Sequence, residues 1–259
     1  MYDELSQTYD HFVNWENRLQ FELPFLNRIL SQIKVDRDRP IRILDAACST
    51  GMHAIALAKE GYECAATDIS PQMIQQAQKN ASDRQVTIQC ETVGLGEMTP
   101  VFGNNAFQAI LCLGNSLPHL LTKNELQSAM RDFYALLSVG GVLIIQNRNF
   151  EPVLKKQLRE MEPQSFQTQD REELFIRFYD FLVDGNLRFN FISLTRVFGG
   201  SWHQSWHSSI LKPYLQSELE SVMQTIGFGD IMYYGSLAGE PYDASSSGNL
   251  VIVAWKKGD

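Results

Sequence analysis

The sequence predicts an α/β protein with a doubly wound, mostly parallel sheet of seven strands and helices on both faces. Strand-like and helix-like patterns alternate along residues 41–150, which is typical of parallel strands joined by crossover helices. The first two apolar runs each end in an acid, Asp45 and Asp68, and small residues follow the first of them. An aromatic-rich, partly alternating stretch after residue 150 predicts an antiparallel β insertion that follows the fifth strand.

The first two strands and the helix between them have the clearest pattern. The apolar run at 41–44 ends at Asp45, residues 46–51 are small, and a helical pattern then continues to Gly61. A second short apolar run ends at Asp68. This order of strand, tight turn, helix, strand and acid is half of a nucleotide-binding βαβ unit. Such a unit places its ligand at the carboxyl ends of parallel strands, beside a helix N-terminus.

The rest of the core follows from start and stop signals. Ser70 and Pro71 predict a helix start, with a serine cap and a proline at the first helical position. Thr122 and Glu125 have the form of a capping box, and the glycines at 140–141 predict a turn into the fifth strand. The other predicted elements are a helix at 18–34, strands at 86–90, 107–113 and 142–146, a helix at 216–226, and strands near 229–236 and 249–255.

The stretch after residue 150 predicts the insertion. Two aromatic-rich runs, 174–183 and 187–197, flank an Asp-Gly-Asn turn and indicate a β-hairpin, and 202–210 adds a third antiparallel strand. We therefore expect three parts in the chain. They are an N-terminal arm and helix over 1–40, a core over 41–150 and 213–259, and the insertion over 151–212.

Composition excludes several classes of protein. The net charge of −8 and the absence of any basic cluster argue against nucleic acid or an anionic membrane surface as a partner. No apolar stretch approaches the roughly 20 residues that span a bilayer, and the polar N-terminus does not resemble a signal peptide. Four cysteines lie singly, as core thiols do in a reducing cytosol, so we expect a cytoplasmic protein. His203 and His207 are four residues apart but lie in a strand-like segment, and no metal site is expected.

Three segments resemble a known family. The turn DAACSTG at 45–51, followed by Asp68, is similar to motif I and the following acid of class I S-adenosylmethionine-dependent methyltransferases, which have a Rossmann-like fold. LCLGNSLPHL at 111–120 and GGVLIIQNRNF at 140–150 resemble the matching segments of glycine N-methyltransferases. The chain is thus identified as a member of the glycine/sarcosine N-methyltransferase-like group. Ser49 departs from the family, which has a glycine there, and we expect serine to tolerate the turn only with a negative φ.

The resemblance implies S-adenosylmethionine as the cofactor. In this family the acid that matches Asp68 accepts hydrogen bonds from the ribose hydroxyls, and the arginine that matches Arg18 holds the carboxylate of the cofactor. Each assigned residue also has a structural interpretation as a turn, core or surface residue. The residues that the resemblance implies for cofactor binding are Arg18, Asp45, Ala47, Ser49, Gly51, Asp68, Ile69, Met73, Gly94, Leu95 and Leu113.

The resemblance also implies a small-molecule methyl acceptor. Arg148 follows a buried strand, and the matching arginine of the glycine methyltransferases grips the carboxylate of the acceptor. Asn115 would orient an amine, His119 would act as a hydrogen-bond partner or base, and Tyr9 would reach the acceptor from the N-terminal arm, with Tyr2 as a second candidate. The expected acceptor is a small amine bearing a carboxylate.

Other functions stay open at this point. A larger natural product would be the acceptor if the pocket around Arg148 were wide or if an internal acid occupied this arginine. A protein that binds the cofactor without transferring its methyl group is a different class of function. The incomplete glycine pattern of the first loop disfavours a nicotinamide dehydrogenase. A homo-oligomer is compatible with all of these functions.

Overall fold

The chain forms two β-sheets, described for residues 9–34 and 40–258 by a computed structural model. The strands are β1 Arg42–Ala46, β2 Glu63–Asp68, β3 Gln89–Thr92, β4 Phe107–Cys112, β5 Leu137–Arg148, β6 Gln164–Gln167, β7 Arg171–Phe181, β8 Leu187–Val197, β9 His203–Leu211, β10 Phe228–Tyr234 and β11 Asn249–Lys256. The helices are α1 Tyr9–Phe12, α2 Trp15–Leu30, α3 Met52–Lys59, α4 Pro71–Asp83, α5 Thr99–Phe102, α6 Lys123–Leu136, α7 Phe150–Lys156 and α8 Gln216–Ile226, with a 3-10 turn at Leu117–His119.

The larger sheet confirms the predicted fold class. Its strand order is β10-β11-β5-β4-β1-β2-β3, in which neighbours from β5 to β3 are parallel and β11 is antiparallel to both β5 and β10. The order of the strands reverses between β1 and β4. Ligands of doubly wound sheets bind in the crevice at the carboxyl ends of the strands at such a reversal.

Both faces of this sheet are covered by helices. Side chains alternate along β1, so that Leu44 and Ile43 face opposite layers. The Leu44 layer contains apolar side chains of α6 and α8, such as the fully buried Phe133. The Ile43 layer contains those of α2, α3 and α4, such as Leu26. The two layers hold the strand ends in fixed positions, which is what a ligand site at those ends requires.

The predicted helix signals are confirmed. The hydroxyl of Ser70 accepts a hydrogen bond from the Met73 N–H at 3.2 Å, and Pro71 is the first residue of α4. Thr122 and Glu125 form a reciprocal capping box at the start of α6. These caps satisfy backbone donors that the first turn of a helix leaves without partners.

The third strand begins later than predicted. The sequence indicated 86–90, but β3 starts at Gln89 and is a short edge strand. The chain is still leaving α4 at the earlier residues, because Gln85 has a φ of +55° and the Val86 N–H donates to the Ala81 carbonyl at 3.0 Å. Val86 is β-branched, as strand residues often are, but it lies in the loop between α4 and β3.

The glycines at 140–141 do not form a separate turn. They lie inside β5, which starts five residues before the predicted 142–146. The pairing with β4 shifts there, from Phe107 opposite Leu137 to Ala109 opposite Val142. Extra residues in one strand make a bulge, and Gly140, with a φ of +76°, provides the backbone conformation that the bulge needs.

Two helices also differ from the prediction. The N-terminal helix α2 starts at Trp15 and includes Pro24, whereas the predicted span was 18–34. Helix α7 was not predicted at all, because it has only seven residues and includes Pro152. The side chain of Asn149 caps it by accepting a hydrogen bond from the Glu151 N–H.

The smaller sheet is the predicted antiparallel insertion. Its order is β6-β7-β8-β9, and the hairpin of β7 and β8 turns at residues 182–186. Buried Tyr179 and Leu187 pack against Phe150 of α7, and Phe175 contacts Phe12 of α1. The smaller sheet thus packs against α7, which follows β5, and against α1 of the N-terminal arm. The exact limits of the three predicted parts stay a prediction.

Several predicted absences concern the described residues alone. Within 9–34 and 40–258, no helix is long and apolar enough to cross a membrane. Nor does that part of the chain bring together three or more His, Cys, Asp or Glu side chains as a metal site would. Cys48, Cys64, Cys90 and Cys112 are all free thiols.

Replacing Gly51 by alanine is expected to destabilise the fold by about 3 kcal/mol. The residue has a φ of +75°, which costs an L-residue roughly 1–2 kcal/mol. A Cβ there would also lie 2.8 Å from the Cβ of Ala77 on α4, and such overpacking costs about 1–3 kcal/mol. Urea unfolding measures the change. Gly61→Ala is the matched control, because Gly61 has a φ of +97° and open space around it. Equal losses in both variants would contradict the contribution of the close contact.

Candidate active site

The loop after β1 has an unusual backbone. Ala47, Ser49 and Gly51 all have left-handed φ values, of +58°, +53° and +75°. The expectation of a negative φ at Ser49 was therefore wrong. The Ser49 N–H donates to Oδ2 of Asp68 at 2.9 Å, and this hydrogen bond holds the strained residue in place. Non-glycine residues in this conformation cost about 1–3 kcal/mol and are typical of functional loops.

Asp68 connects this loop to the end of β2. Its Oδ2 accepts the Ser49 N–H and its Oδ1 accepts the Ser70 N–H, both at 2.9 Å. Two backbone donors therefore fix the plane of the carboxylate, while each oxygen keeps acceptor capacity. A carboxylate with two oriented oxygens at a strand end suits the adjacent hydroxyls of a ribose.

A cleft of about 480 Å³ opens at the carboxyl ends of β1, β2 and β4. Most of the residues that the resemblance implied for the cofactor lie in its wall: Arg18, Asp45, Ala47, Ser49, Asp68, Ile69, Met73, Gly94, Leu95 and Leu113. Ile69 is 74% exposed and presents an apolar side chain to the cleft beside Asp68. Gly51 is not part of the wall. It lies behind the loop, against Ala77.

The chemistry of the cleft fits S-adenosylmethionine. Asp68 provides acceptors for a diol, Ile69 and Leu95 provide apolar surface for a base, and Asp45 provides a buried carboxylate for a cationic group. Sequence reasoning missed Trp15, His53 and Glu97, which also line the cleft. They come from helix α2, helix α3 and the loop after β3, and no motif pointed to them.

Asp45 is buried at the floor of the cleft. Its Oδ2 accepts the Ala54 N–H at 3.3 Å, and the side chain is only 2% exposed. Burial raises the pKa of this carboxyl group to about 6, although His53 on α3 and Arg18 on α2 favour its charged form. The nearby carboxylate of Asp68 disfavours it. A cation bound in the cleft would offset the unfavourable burial of this charge.

Affinity for S-adenosylmethionine is therefore expected to decrease as the pH falls through about 6. Above this pH Asp45 is charged and would attract the sulfonium and ammonium groups of a cofactor bound in the cleft, and below it the carboxyl group is protonated. By linkage, the affinity falls at most about tenfold for each pH unit below 6. Calorimetric titration of the wild type and Asp45→Asn between about pH 5 and 8 measures this. A wild-type affinity as independent of pH as that of Asp45→Asn would contradict the assignment.

Arg18 belongs to a buried charged cluster at the edge of the cleft. Its Nε donates to Glu22 at 2.9 Å, and its guanidinium lies over the ring of Trp15, 5.0 Å from the centroid. The other oxygen of Glu22 pairs with Nε2 of His53 at 2.5 Å. The hydrogen bond from Nε to Glu22 and the contact with the Trp15 ring orient the guanidinium. Its outer nitrogens are then available to the cleft.

The N-terminal arm is fixed to the core through Asp10. This carboxylate accepts hydrogen bonds from Thr50 at 2.6 Å, Trp15 at 2.7 Å and Asn80 at 3.0 Å. Helix α1 is thereby held beside the first loop. Tyr9 is the first residue of α1, but its side chain lies outside the described residues, as does all of Tyr2.

A second cavity, of about 360 Å³, adjoins the cleft. Arg18, Gly114, Asn115 and His119 line both spaces, so a ligand in each would meet at these residues. The remaining wall of the second cavity comes from the N-terminal arm and α2, from β5 and β11, and from the insertion. It contains Phe12, Val13, Glu22, Gln146, Arg148, Met161, Arg177, Tyr179, Phe189, Phe191, Leu211 and Asn249.

Hydrogen bonds between neighbouring strand ends position Arg148 and Asn115. Oδ1 of Asn115 accepts the Arg148 N–H at 2.9 Å, and the Asn115 N–H donates to the Gln146 carbonyl at 3.0 Å. The Gly114 N–H donates to the side chain of Gln146 at 2.8 Å. Asn115 has a φ of +71°, which these contacts stabilise. The amide oxygen of Asn115 is thus already an acceptor, and its NH₂ group is the part that can donate to a ligand.

His119 is not suited to be a general base near neutral pH. Burial lowers the pKa of its imidazole to about 4, so the ring is neutral at pH 7 and a weak proton acceptor. A base that removes a proton from an ammonium group needs a pKa near the working pH. The position of His119 in both walls instead suits a hydrogen-bond partner.

Sequence reasoning missed Arg177 and Tyr179, two of the polar side chains that line the second cavity. Phe175, Arg177 and Tyr179 are spaced two residues apart along β7, so their side chains point to the same face of the sheet. On that face Phe175 is buried and Phe191 of β8 lies opposite Arg177, and a charged residue in such an apolar pattern is a sequence signal of function. Burial raises the pKa of Tyr179 to about 12, so its hydroxyl keeps its proton.

The chain is similar to known methyltransferases. The family described as "Methyltransferase domain" matches residues 43–141. The chain is 29% identical over 153 residues to glycine/sarcosine N-methyltransferase of Parasynechococcus marenigrum. This alignment covers 59% of this chain and 52% of that protein. It is 26% identical over 250 residues to glycine/sarcosine N-methyltransferase of Aphanothece halophytica, which covers 96% of this chain and 87% of that protein. The alignment thus spans about half of the first relative and most of the second.

A solved structure shows the same fold along the whole chain. It is the S-adenosylmethionine-dependent methyltransferase from Clostridium acetobutylicum, with a TM-score of 0.76, 13% identity and coverage of 99% of both chains. At this identity the likeness concerns the fold. The domain match, the similar relatives and the chemistry of the cleft together indicate S-adenosylmethionine as the cofactor. Residues 43–141 thus match the methyltransferase domain, and the chain has the fold of S-adenosylmethionine-dependent methyltransferases and is similar to the glycine/sarcosine N-methyltransferases.

Proposed function

We propose that the protein transfers a methyl group from S-adenosylmethionine to a small amine that bears a carboxylate. The observation that carries this proposal is Arg148. Its Nε is buried without a hydrogen-bond partner, in a cavity that adjoins the cofactor cleft. Among the described residues no acid pairs with its guanidinium. An arginine held in this state is suited to a carboxylate, which it binds through two parallel hydrogen bonds.

The residues of the two spaces would act mainly by positioning. S-adenosylmethionine supplies an activated methyl group on a positively charged sulfur and leaves as the neutral thioether. Arg148 would hold the carboxylate of the acceptor, and the NH₂ of Asn115 and the ring of His119 would lie at the boundary that the methyl group must cross. Fixing two reactants in a reactive orientation contributes up to about 7–11 kcal/mol to catalysis.

The nitrogen of the acceptor must attack as a neutral amine. With the pKa of His119 lowered to about 4, the proton of the ammonium form goes to solvent before the acceptor is enclosed. The new N–C bond then forms as the C–S bond breaks, and the product leaves as the methylated ammonium ion, so that one proton is released for each methyl group transferred. Aromatic side chains of the insertion, Tyr179, Phe189 and Phe191, would cover the acceptor and exclude water during this step.

The observations favour a small acceptor over a large one. The cavity around Arg148 holds about 360 Å³, and Phe12, Phe189 and Phe191 close it on the sides of the arm and the insertion. The names of the similar relatives include glycine and sarcosine, and both are amines with a carboxylate.

The free cysteines support a cytosolic location for this chemistry.

A methyl-transfer screen tests the proposed function. Formation of S-adenosylhomocysteine would be measured with glycine, sarcosine, dimethylglycine, larger amino acids and amines that lack an acidic group. We expect turnover with carboxylate-bearing amines and none with amines that lack the acidic group. Binding of S-adenosylmethionine without turnover of any acceptor would indicate a protein that binds the cofactor but does not catalyse the transfer. Turnover of simple amines at the same rate would contradict the role of the carboxylate.

A further inference from the structure

Three arginines line the acceptor cavity, Arg18, Arg148 and Arg177, and the proposed function does not use Arg177. Arg177 reaches the cavity from β7 of the insertion, and Arg148 reaches it from the end of β5. The Nε of each guanidinium is buried without a hydrogen-bond partner. One outer nitrogen of Arg177 donates to the Glu162 carbonyl at 3.2 Å, which orients the group without neutralising its charge.

The two charges are not balanced within the described part of the chain. The wall of the cavity contains one acid there, Glu22, and it already pairs with Arg18 and His53. The ring of Phe12, 4.8 Å from the guanidinium of Arg177, contributes only a weak attraction. Tyr179, which keeps its proton, adds no negative charge. Counted over the described residues, the wall of the cavity therefore has an excess of two positive charges.

The two neighbouring charges disfavour each other. Burial lowers the pKa of Arg177, and the neighbouring charge of Arg148 lowers it further. Like charges that share a partly buried site disfavour one another, and removing one partner relieves the repulsion. One carboxylate would neutralise only one of the two guanidinium groups.

We infer that the acceptor carries two negative charges on its acidic part, one for Arg148 and one for Arg177. The chemical class is a small amine with two carboxylates, or with one dianionic phosphonate or phosphate group. The inference rests on the proposed function, because it concerns the same cavity and names the class of acceptor more narrowly. Amines with a single carboxylate would be poorer ligands.

Binding to the protein saturated with S-adenosylhomocysteine tests the inference independently of catalysis. Calorimetry would compare L-aspartate with L-alanine, which lacks the second carboxylate, and aminomethylphosphonate with glycine. We expect the more highly charged member of at least one pair to bind about 10- to 100-fold more tightly, as charged hydrogen bonds of this strength imply. The pair that shows the preference identifies the acidic group.

Variants of Arg177 provide the second measurement. Arg177→Gln should abolish the preference within the pair, Arg177→Lys should keep part of it, and Arg188→Gln, an exposed arginine of β8, should leave it unchanged. Because Arg177→Gln removes a repulsion with Arg148, we also expect this variant to unfold at the same or a higher temperature. An arginine with a merely structural role would lower the unfolding temperature and leave the preference intact.

The outcomes separate the inference from the proposed function. Equal binding of both members of each pair by the wild type overturns the inference, whatever the variants do. Turnover of glycine with no gain for the charged acceptors would leave the proposed function standing without the inference. Arg177-dependent binding of a dianionic amine, with no S-adenosylhomocysteine formed from S-adenosylmethionine, would support the inference and contradict the proposed function.

Discussion

Arg148→Gln is expected to lower kcat/KM for a carboxylate-bearing acceptor by about 100-fold or more, with little change in the affinity for S-adenosylmethionine. The guanidinium is partly buried beside the cofactor cleft and has no acidic partner among the described residues. Truncating one member of a buried, hydrogen-bonded charge pair costs about 2–5 kcal/mol. Glutamine keeps a hydrogen-bond donor but loses both the positive charge and the two parallel N–H donors of the guanidinium. Steady-state kinetics over a range of acceptor concentrations, with calorimetry for the cofactor, would measure both effects.

Two control variants define the cause of this loss. Arg148→Lys keeps the charge but loses the bidentate geometry, so its kcat/KM should lie between those of the wild type and Arg148→Gln. Arg131→Gln changes an exposed arginine on α6 and should not alter the kinetics. Equal activity of Arg148→Gln and the wild type would remove the arginine from any role in acceptor binding.

Asp68→Ala is expected to weaken S-adenosylmethionine binding by about 100-fold. The sequence alone suggests a loss on the order of 1–3 kcal/mol, the cost of losing one charged acceptor. The structure places the effect at the upper end of that range, since Asp68 also accepts the backbone N–H groups of Ser49 and Ser70. Without the carboxylate, the left-handed conformation of Ser49 loses the hydrogen bond that holds it. Isothermal titration of the purified variant with S-adenosylmethionine measures the change.

Two comparisons separate ribose binding from the support of the loop. Asp68→Asn keeps one acceptor oxygen and the size of the side chain, so it should lose less affinity than Asp68→Ala. Asp83→Ala removes the same charge from the exposed end of α4 and should bind the cofactor as the wild type does. Unchanged affinity in Asp68→Ala would mean that the nucleoside is not bound at the end of β2.

The order of core elements was predictable because each has a local cause. Ser70 with Pro71, and Thr122 with Glu125, identify two helix starts through backbone donors that need partners. Buried parallel strands such as β4 appear as continuous apolar runs. The errors concern positions where the tertiary structure decides. The start of β3 depends on how the chain leaves α4, and the bulge at Gly140 depends on the pairing of β5 with β4.

The candidate site was predictable only where one motif contains its residues. The first loop and Asp68 belong to a single βαβ pattern, and their predicted proximity is confirmed by the hydrogen bond from Ser49 to Asp68. The φ of Ser49 was not predictable, since the hydrogen bond that stabilises it joins residues 19 positions apart. Arg177 and Arg148 come from different sheets, and only the packing of the insertion on the core brings them into one cavity.

The cofactor cleft and the neighbouring cavity are lined largely by different parts of the chain, and this has an evolutionary consequence. The cleft with Asp68 is built from the core and α2, whereas much of the neighbouring cavity is built from β7, β8 and β9. Substitutions on the inner face of that small sheet can therefore alter which molecule is methylated while the donor nucleoside keeps its site. Selection for a new acceptor would leave the parallel strands and their loops largely unchanged. We expect chains of this lineage to diverge most rapidly in residues such as Arg177 and Phe189, and chimaeras that exchange this sheet to exchange acceptor preference.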